Sequence, residues 1–234
     1  MARAVDVEDS VRMPVAPSPE RLRDFYFTAT ERLTLGLVRY RDHALRLGGL
    51  TLVSFGEASR TAHGWSFPIS GGVLTATPGG DLWIASADGL TTVAVVGYRP
   101  SLPLPVYRVT QYHFHRFITR LALLQLRGRV PVEEPPATPA ARVTAGVIDA
   151  AVCLALARGR WRRAVPVAVA YHVACWSFGG LTVGGLLLRQ RVVALDGRGV
   201  TPGQALVRLA ILPLALLRLR AVHDELAGTD VVRP

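Results

Sequence analysis

The chain contains no lysine and no asparagine; all 27 of its basic residues are arginine. Surface selection seldom removes lysine completely, whereas a GC-rich codon bias does so readily. The arginines are therefore weak evidence for phosphate recognition. Only two cysteines are present, Cys153 and Cys175, both inside apolar stretches. That number excludes a disulfide framework and a cysteine-built metal site, and leaves two small buried apolar side chains as the expectation. Residues 1–20 hold six charges and no apolar run, so no secretory signal is legible and the N-terminal domain is expected to stay in the cytoplasm. Catalytic signatures are missing too. There is no Gly-x-Ser-x-Gly elbow, no His-Glu-x-x-His, no phosphate loop and no dinucleotide fingerprint. The glycine-rich stretch 179–185 lacks the Gly-Lys-[Ser/Thr] of a phosphate loop. The expectation is a protein that is not an enzyme and carries neither metal nor other cofactor.

What is present is apolar and unevenly charged. Half of the 234 residues are hydrophobic. Residues 1–136 hold 15 Arg against 12 acids, while residues 137–234 hold 12 Arg against only 5. A basic, apolar C-terminal region fits contact with anionic lipid headgroups. Those arginines flank greasy segments rather than line a polar, aromatic-dotted surface, which argues against a nucleic-acid partner.

Along the chain, residues 1–19, polar and with Pro14, Pro17 and Pro19, are expected to be disordered. Residues 20–129 read as an α+β domain, with a helix at 20–30 and then strand. Antiparallel hairpins follow over 50–98, where short β-rich runs are punctuated by Pro78-Gly79-Gly80-Asp81 and Asp88-Gly89. A helix is predicted from Val106 to about Arg127, with Phe114, Phe117, Ile118, Leu121 and Leu124 at helical spacing. His113, Arg116, Arg120 and Arg127 share another face, either solvated or resting on a lipid surface. Residues 130–141 contain four prolines in quick succession and read as an extended linker.

A spanning helix needs about 20 mostly apolar residues. Ala164–Leu188 supplies 25 without a formal charge, with His172 the one group that titrates near neutral pH, and is the firm candidate. Val143–Ala157 is shorter and contains Asp149. Leu209–Leu217 is shorter still and carries Pro213. The region 142–234 is thus expected to be an all-α membrane domain of about three short hydrophobic helices.

Within it, Arg142-Val-Thr-Ala-Gly-Val-Ile-Asp149 is followed by Gly180-Leu-Thr-Val-Gly184, then Arg191-Val-Val-Ala-Leu-Asp196-Gly197, Gln204-Ala-Leu-Val-Arg208 and His223-Asp224-Glu-Leu-Ala-Gly228-Thr229. In type and order these segments resemble the RDD family of bacterial membrane proteins, over about residues 138–232. The resemblance implies a multi-pass protein of the cell (inner) membrane, with Arg142, Asp149 and Asp224 as its characteristic charges. It departs from the family at Gly185, where a basic residue is common, and in the short connection Arg158–Arg163. An Asp at membrane depth is costly and usually faces a bundle interior or polar cavity, so Asp149 is expected to have a partner on another helix, Arg208 or Arg191. His172, Arg191, Arg208 and His223 are the supporting residues.

Two functions remain open at this point. One is transport of a small ion or solute through Asp149 and His172. The other is a membrane-anchored adaptor whose cytoplasmic domain binds a partner or lipid headgroups, with the charges purely structural. In either case the partners are the bilayer and a second copy or a membrane partner protein.

Overall fold

A computed structural model describes residues 3–128, 134–218 and 222–233, apart from the side chains of 214–218 and 222. The chain divides into two compact units, Met1–Arg127 and Gly128–Pro234.

The first unit runs β1 (Val5–Arg12), α1 (Pro19–Leu33), β2 (Val38–Arg41), β3 (Ala44–Leu47), β4 (Leu50–Phe55), β5 (Ser59–Arg60), β6 (Gly64–Gly71), β7 (Asp81–Ala87), β8 (Leu90–Tyr98), α2 (Leu104–Val109) and α3 (Gln111–Arg127). Its strands form one antiparallel sheet in the order β1-β8-β7-β6-β4-β3-β2, with β5 on β6. Asp88 and Gly89 both take positive φ (51° and 72°), which matches the twist a two-residue hairpin needs between β7 and β8. Asp42 and His43 do the same between β2 and β3.

The N-terminal segment, expected to be disordered, forms β1 instead. Val7 and Val11 alternate inward and are buried, pairing with Val95 and Thr91 of β8. The three prolines all follow the strand, and Pro19 occupies the first turn of α1, where its missing N–H costs nothing. Ser18 caps that helix through the Arg21 N–H. Helix α1 buries Leu22, Tyr26 and Phe27, and the Phe27 ring stacks on Tyr40 at 3.8 Å and meets Phe55 and Phe67 edge-on. The single helix predicted from Val106 is two helices, broken at Thr110, where φ and ψ (−121°, −83°) leave the helical region.

The second unit runs α4 (Pro139–Leu156), α5 (Trp161–Gly179), α6 (Val183–Leu187), β9 (Arg191–Ala194), α7 (Pro202–Arg218), α8 (Val222–Ala227) and β10 (Thr229–Val232). It is not all-α, because β9 and β10 pair antiparallel, Thr229 opposite Ala194 and Val232 opposite Arg191. Residues 130–133 of the expected linker, and residue 129 before it, lie outside the described residues. The rest of the linker belongs to this unit: Ala137 donates its N–H to Val231, and Thr138 caps α4. A small core of Ala137, Trp176, Val192, Val200, Ala205 and Val231 sits around the ribbon.

The 25-residue apolar run does not form one helix. Helix α5 stops at Gly179 because Gly180 adopts the left-handed conformation (φ 70°); a Cβ there would also lie 2.2 Å from the Val192 carbonyl oxygen. Among the described residues, one helix is long and apolar enough to cross a membrane. It is α4, with a mean hydropathy of 1.5 over 18 residues, of which 17 % are buried.

Candidate functional site

Arg142 enters α4 one turn after its cap, and every nitrogen of its guanidinium finds an acceptor. Nη1 donates to Asp224 Oδ2 at 2.8 Å, Nη2 to Asp230 Oδ1 at 2.9 Å and to the Val231 carbonyl at 3.2 Å, and Nε to the Ala137 carbonyl at 3.2 Å. One fork thus ties α4 to α8 and β10. Asp224 is 1 % exposed and also pairs with Arg208 of α7. Thr229 closes the ring, accepting from Arg208 at 2.9 Å and donating to Asp224 at 3.2 Å. The Arg208 guanidinium lies over the Trp176 ring at 5.0 Å.

The cluster holds two cations and two carboxylates, so its formal charge cancels, which is the condition under which buried ions are tolerated. His223 Nε2 sits 3.6 Å from Asp224. Burial first, and then the positive charges of Arg208 and Arg142, push its imidazole down to about 4, leaving it neutral near pH 7.

Asp149 lies two helical turns from Arg142, about 10 Å along α4, in a separate arrangement. Its Oδ1 accepts the Tyr171 hydroxyl and the Gly184 N–H, each at 2.8 Å. The Tyr171 oxygen in turn accepts the Val183 N–H at 2.8 Å. Neither expected cation reaches Asp149. Arg208 serves Asp224, and Arg191 is engaged by Glu134 at 2.6 Å. The Asp149 Oδ1 thus takes two hydrogen bonds from neutral donors in place of an ion pair. His172 is elsewhere too: its Nδ1 meets the Ala168 carbonyl at 2.8 Å, and its ring rests between Tyr171 and Trp176.

The geometry gives the Gly-x-Thr-x-Gly segment a physical meaning. Gly180 ends α5, Thr182 caps α6 by accepting the Gly185 N–H at 3.0 Å, and Gly184 lets α6 lie directly on α4. A Cβ on Gly184 would come within 2.2 Å of the Ala145 carbonyl oxygen.

Asp230 and Tyr171 were not singled out from sequence, and Thr229 and Gln204 stood in the quoted segments without a role. The buried Gln204 accepts from Thr201 and donates to the Ala227 carbonyl at 3.0 Å, fastening the start of α7 to the turn before β10. The available signal was the polar pair Thr229-Asp230 just before an otherwise apolar Val-Val end.

The face of α3 divides. Arg120 donates to the Ser10 carbonyl at 3.3 Å and Arg127 to the Arg12 carbonyl at 2.9 Å, so both brace β1. His113 and Arg116 remain exposed, with Arg116 over the Tyr112 ring. Both cysteines are free thiols, and among the described residues no group of three or more His, Cys, Asp or Glu side chains could hold a metal ion. No protein-family model, no curated protein and no solved structure matches this chain.

Proposed function

We propose that this chain is an integral membrane protein of RDD type, in which the charged residues lock the membrane unit together and the N-terminal unit provides the binding function. The observation that carries this reading is the exposure of α4. A helix this apolar belongs in the core of a water-soluble protein, yet Val143 and Val147 are each 64 % exposed, as are about half or more of Leu154 and Leu156. Phe178, Leu186 and Leu187 add to the uncovered apolar surface of the same unit. Such a surface fits lipid, where apolar exposure costs nothing.

The turn from α4 to α5 supports the same reading. Arg158, Arg160, Arg162 and Arg163 are all exposed, and none pairs with a carboxylate among the described residues. Between them Trp161 is 75 % exposed. Arginine and tryptophan together are the side chains that favour the membrane–water interface. The cell (inner) membrane, a cytoplasmic N-terminal unit, and a second copy or membrane partner protein complete the proposal.

The mutual pairing of Arg142, Asp224, Asp230 and Arg208 favours a structural role for these charges. One feature keeps transport of a small ion or solute as the second reading: among the described residues, Asp149 is held by neutral donors. Asp149→Asn separates the two. Asparagine retains the Oδ1 acceptor for Tyr171 and Gly184, so the fold should survive with a loss of about 1 kcal/mol or less. In proteoliposomes, the structural role requires that ion flux be absent or unchanged by the substitution. Flux in the parent that disappears in a folded Asp149→Asn variant establishes the transport reading instead.

A further inference from the structure

One end of the N-terminal sheet gathers exposed aliphatic side chains from four segments of the chain. Strand β3 turns into β4 through Leu47-Gly48-Gly49-Leu50, and Leu47 stands opposite both Leu50 and Val38 of β2. That register sets the α1–β2 loop beside the Gly48-Gly49 turn. Val73 comes alongside by donating its N–H to the Thr51 carbonyl at 3.0 Å, and Ser101 by donating its hydroxyl to the Val73 carbonyl at 2.7 Å. Leu35, Leu37, Leu47, Leu50, Val73 and Leu102 are all exposed here, with Leu35 and Leu37 the most open at 63 % and 67 %. Single exposed leucines are ordinary, but a cluster of them is the kind of patch that marks an interaction surface.

Packing within the unit does not account for these residues. Leu35 takes a positive φ of 54°, a left-handed conformation better suited to glycine or asparagine, and it is too exposed for the core to offset that strain. The charges at this end have one sign. Segments 34–39, 47–52, 71–75 and 99–102 contain Arg39 and Arg99 but no aspartate or glutamate. Arg39 is kept here by its Nε, which donates to the Gly36 carbonyl at 3.2 Å. Two acids belong to neighbouring segments, and both are engaged. Glu31 accepts the Tyr40 N–H at 2.6 Å, and Asp42 pairs with Arg46 at the other end of the β2–β3 hairpin.

We propose that this end of the sheet docks on a bilayer containing anionic lipid, with its leucines in the headgroup boundary and Arg39 and Arg99 at the level of the phosphates. Aliphatic side chains leave water there, and cations beside them are drawn to the anionic surface. This role rests on the membrane reading of α4. Only segment 128–138 separates α3 from α4, so a bilayer that holds the second unit is the surface the first meets at the highest effective concentration. The composition points the same way. Protein interfaces are enriched in aromatic side chains, and none occurs in the four segments.

The test places the full chain in nanodiscs of phosphatidylcholine, alone or mixed equally with phosphatidylglycerol, with a doxyl-labelled lipid as quencher. Gly49→Cys carries a fluorophore at the tip, where an added Cβ meets nothing within 4 Å. Glu57→Cys carries it beyond the far end of β4. The parent chain, labelled alike, gives the background of Cys153 and Cys175. The expected result is quenching at 49 several-fold stronger than at 57, and stronger again in the anionic discs. Leu47→Ser combined with Leu50→Ser should reduce it to the level of 57. Arg39→Gln and Arg99→Gln should each lower the docked-to-free ratio about fivefold in the anionic discs. Equal quenching at 49 and 57 overturns the proposal and leaves the patch to a protein partner. So does quenching at 49 that the two serines, or the phosphatidylglycerol, leave unchanged. A chain that stays out of nanodiscs shows instead that the membrane reading of α4 has failed. Vesicles of the same lipids are then added to the soluble chain, and quenching at 49 or its absence decides the proposal in the same way.

Discussion

Arg142 is where the C-terminal unit concentrates its polar connections. Its guanidinium is about one-fifth exposed, whereas its carboxylate partners are nearly sealed from water. Arg142→Ala leaves Asp224 with Arg208 alone and deprives Asp230 of this buried ion pair, a change that typically costs about 3–5 kcal/mol. Thermal unfolding in micelles should show that loss for Arg142→Ala. Arg198→Ala should change little, because the Arg198 side chain is 70 % exposed and its Asp196 contact is long, at 3.6 Å. His223 gives the same cluster a pH dependence. Its folded value of about 4 lies below the ordinary 6.5, so the unfolded chain takes up the proton first. Its contribution is complete above about pH 6.5 and is lost as pH falls from there towards 4. Unfolding midpoints at pH 7.5 and 5 should differ less in His223→Gln than in the parent. An equal drop in both would remove His223 as a cause.

At the scale of elements, α4 decides the environment of the second unit. Val147→Asp places a carboxylate on its uncovered face. In water, such a surface change is worth within about 0.5 kcal/mol. In a bilayer, an Asp at the centre of a helix costs about 2.5–3.5 kcal/mol. Reduced membrane recovery of Val147→Asp supports lipid around α4, and unchanged yield and stability speak against it. The hairpin strands of the first unit were readable because turn chemistry is local: Pro78–Asp81 and Asp88-Gly89 bracket β7, and Asp88-Gly89 leads into β8, as expected. Strand β1 was missed: its partner β8 is some 80 residues away, and the alternation of Val5, Val7 and Val11 is diluted by Asp6, Glu8, Asp9 and Ser10, which make Val5–Arg12 look like a polar tail. The break in α5 was half visible. Gly179-Gly180 is a local sign of an interruption, but what demands glycine at 180 is the Val192 carbonyl supplied by a later strand.

At the scale of the whole chain, net positive charge and apolarity concentrate in the C-terminal part, and the charged residues of the resemblance occupy two arrangements. Arg142, Arg208 and Asp224 meet and bring in Asp230, although Arg208 was expected beside Asp149. Asp149 does not join them, because a phenol and a backbone N–H satisfy it. Formal charges alone could not anticipate those two donors. Both units present apolar surface: the first gathers it at one end of its sheet, and the second carries it along α4. The measurement that tests this account most directly is carbonate extraction of membranes from cells expressing the full chain, followed by flotation on a density gradient. The expected result is that the protein resists extraction and floats with lipid. Release into the carbonate supernatant as a monodisperse protein would contradict the membrane reading and leave the apolar face of α4 to be covered by another protein.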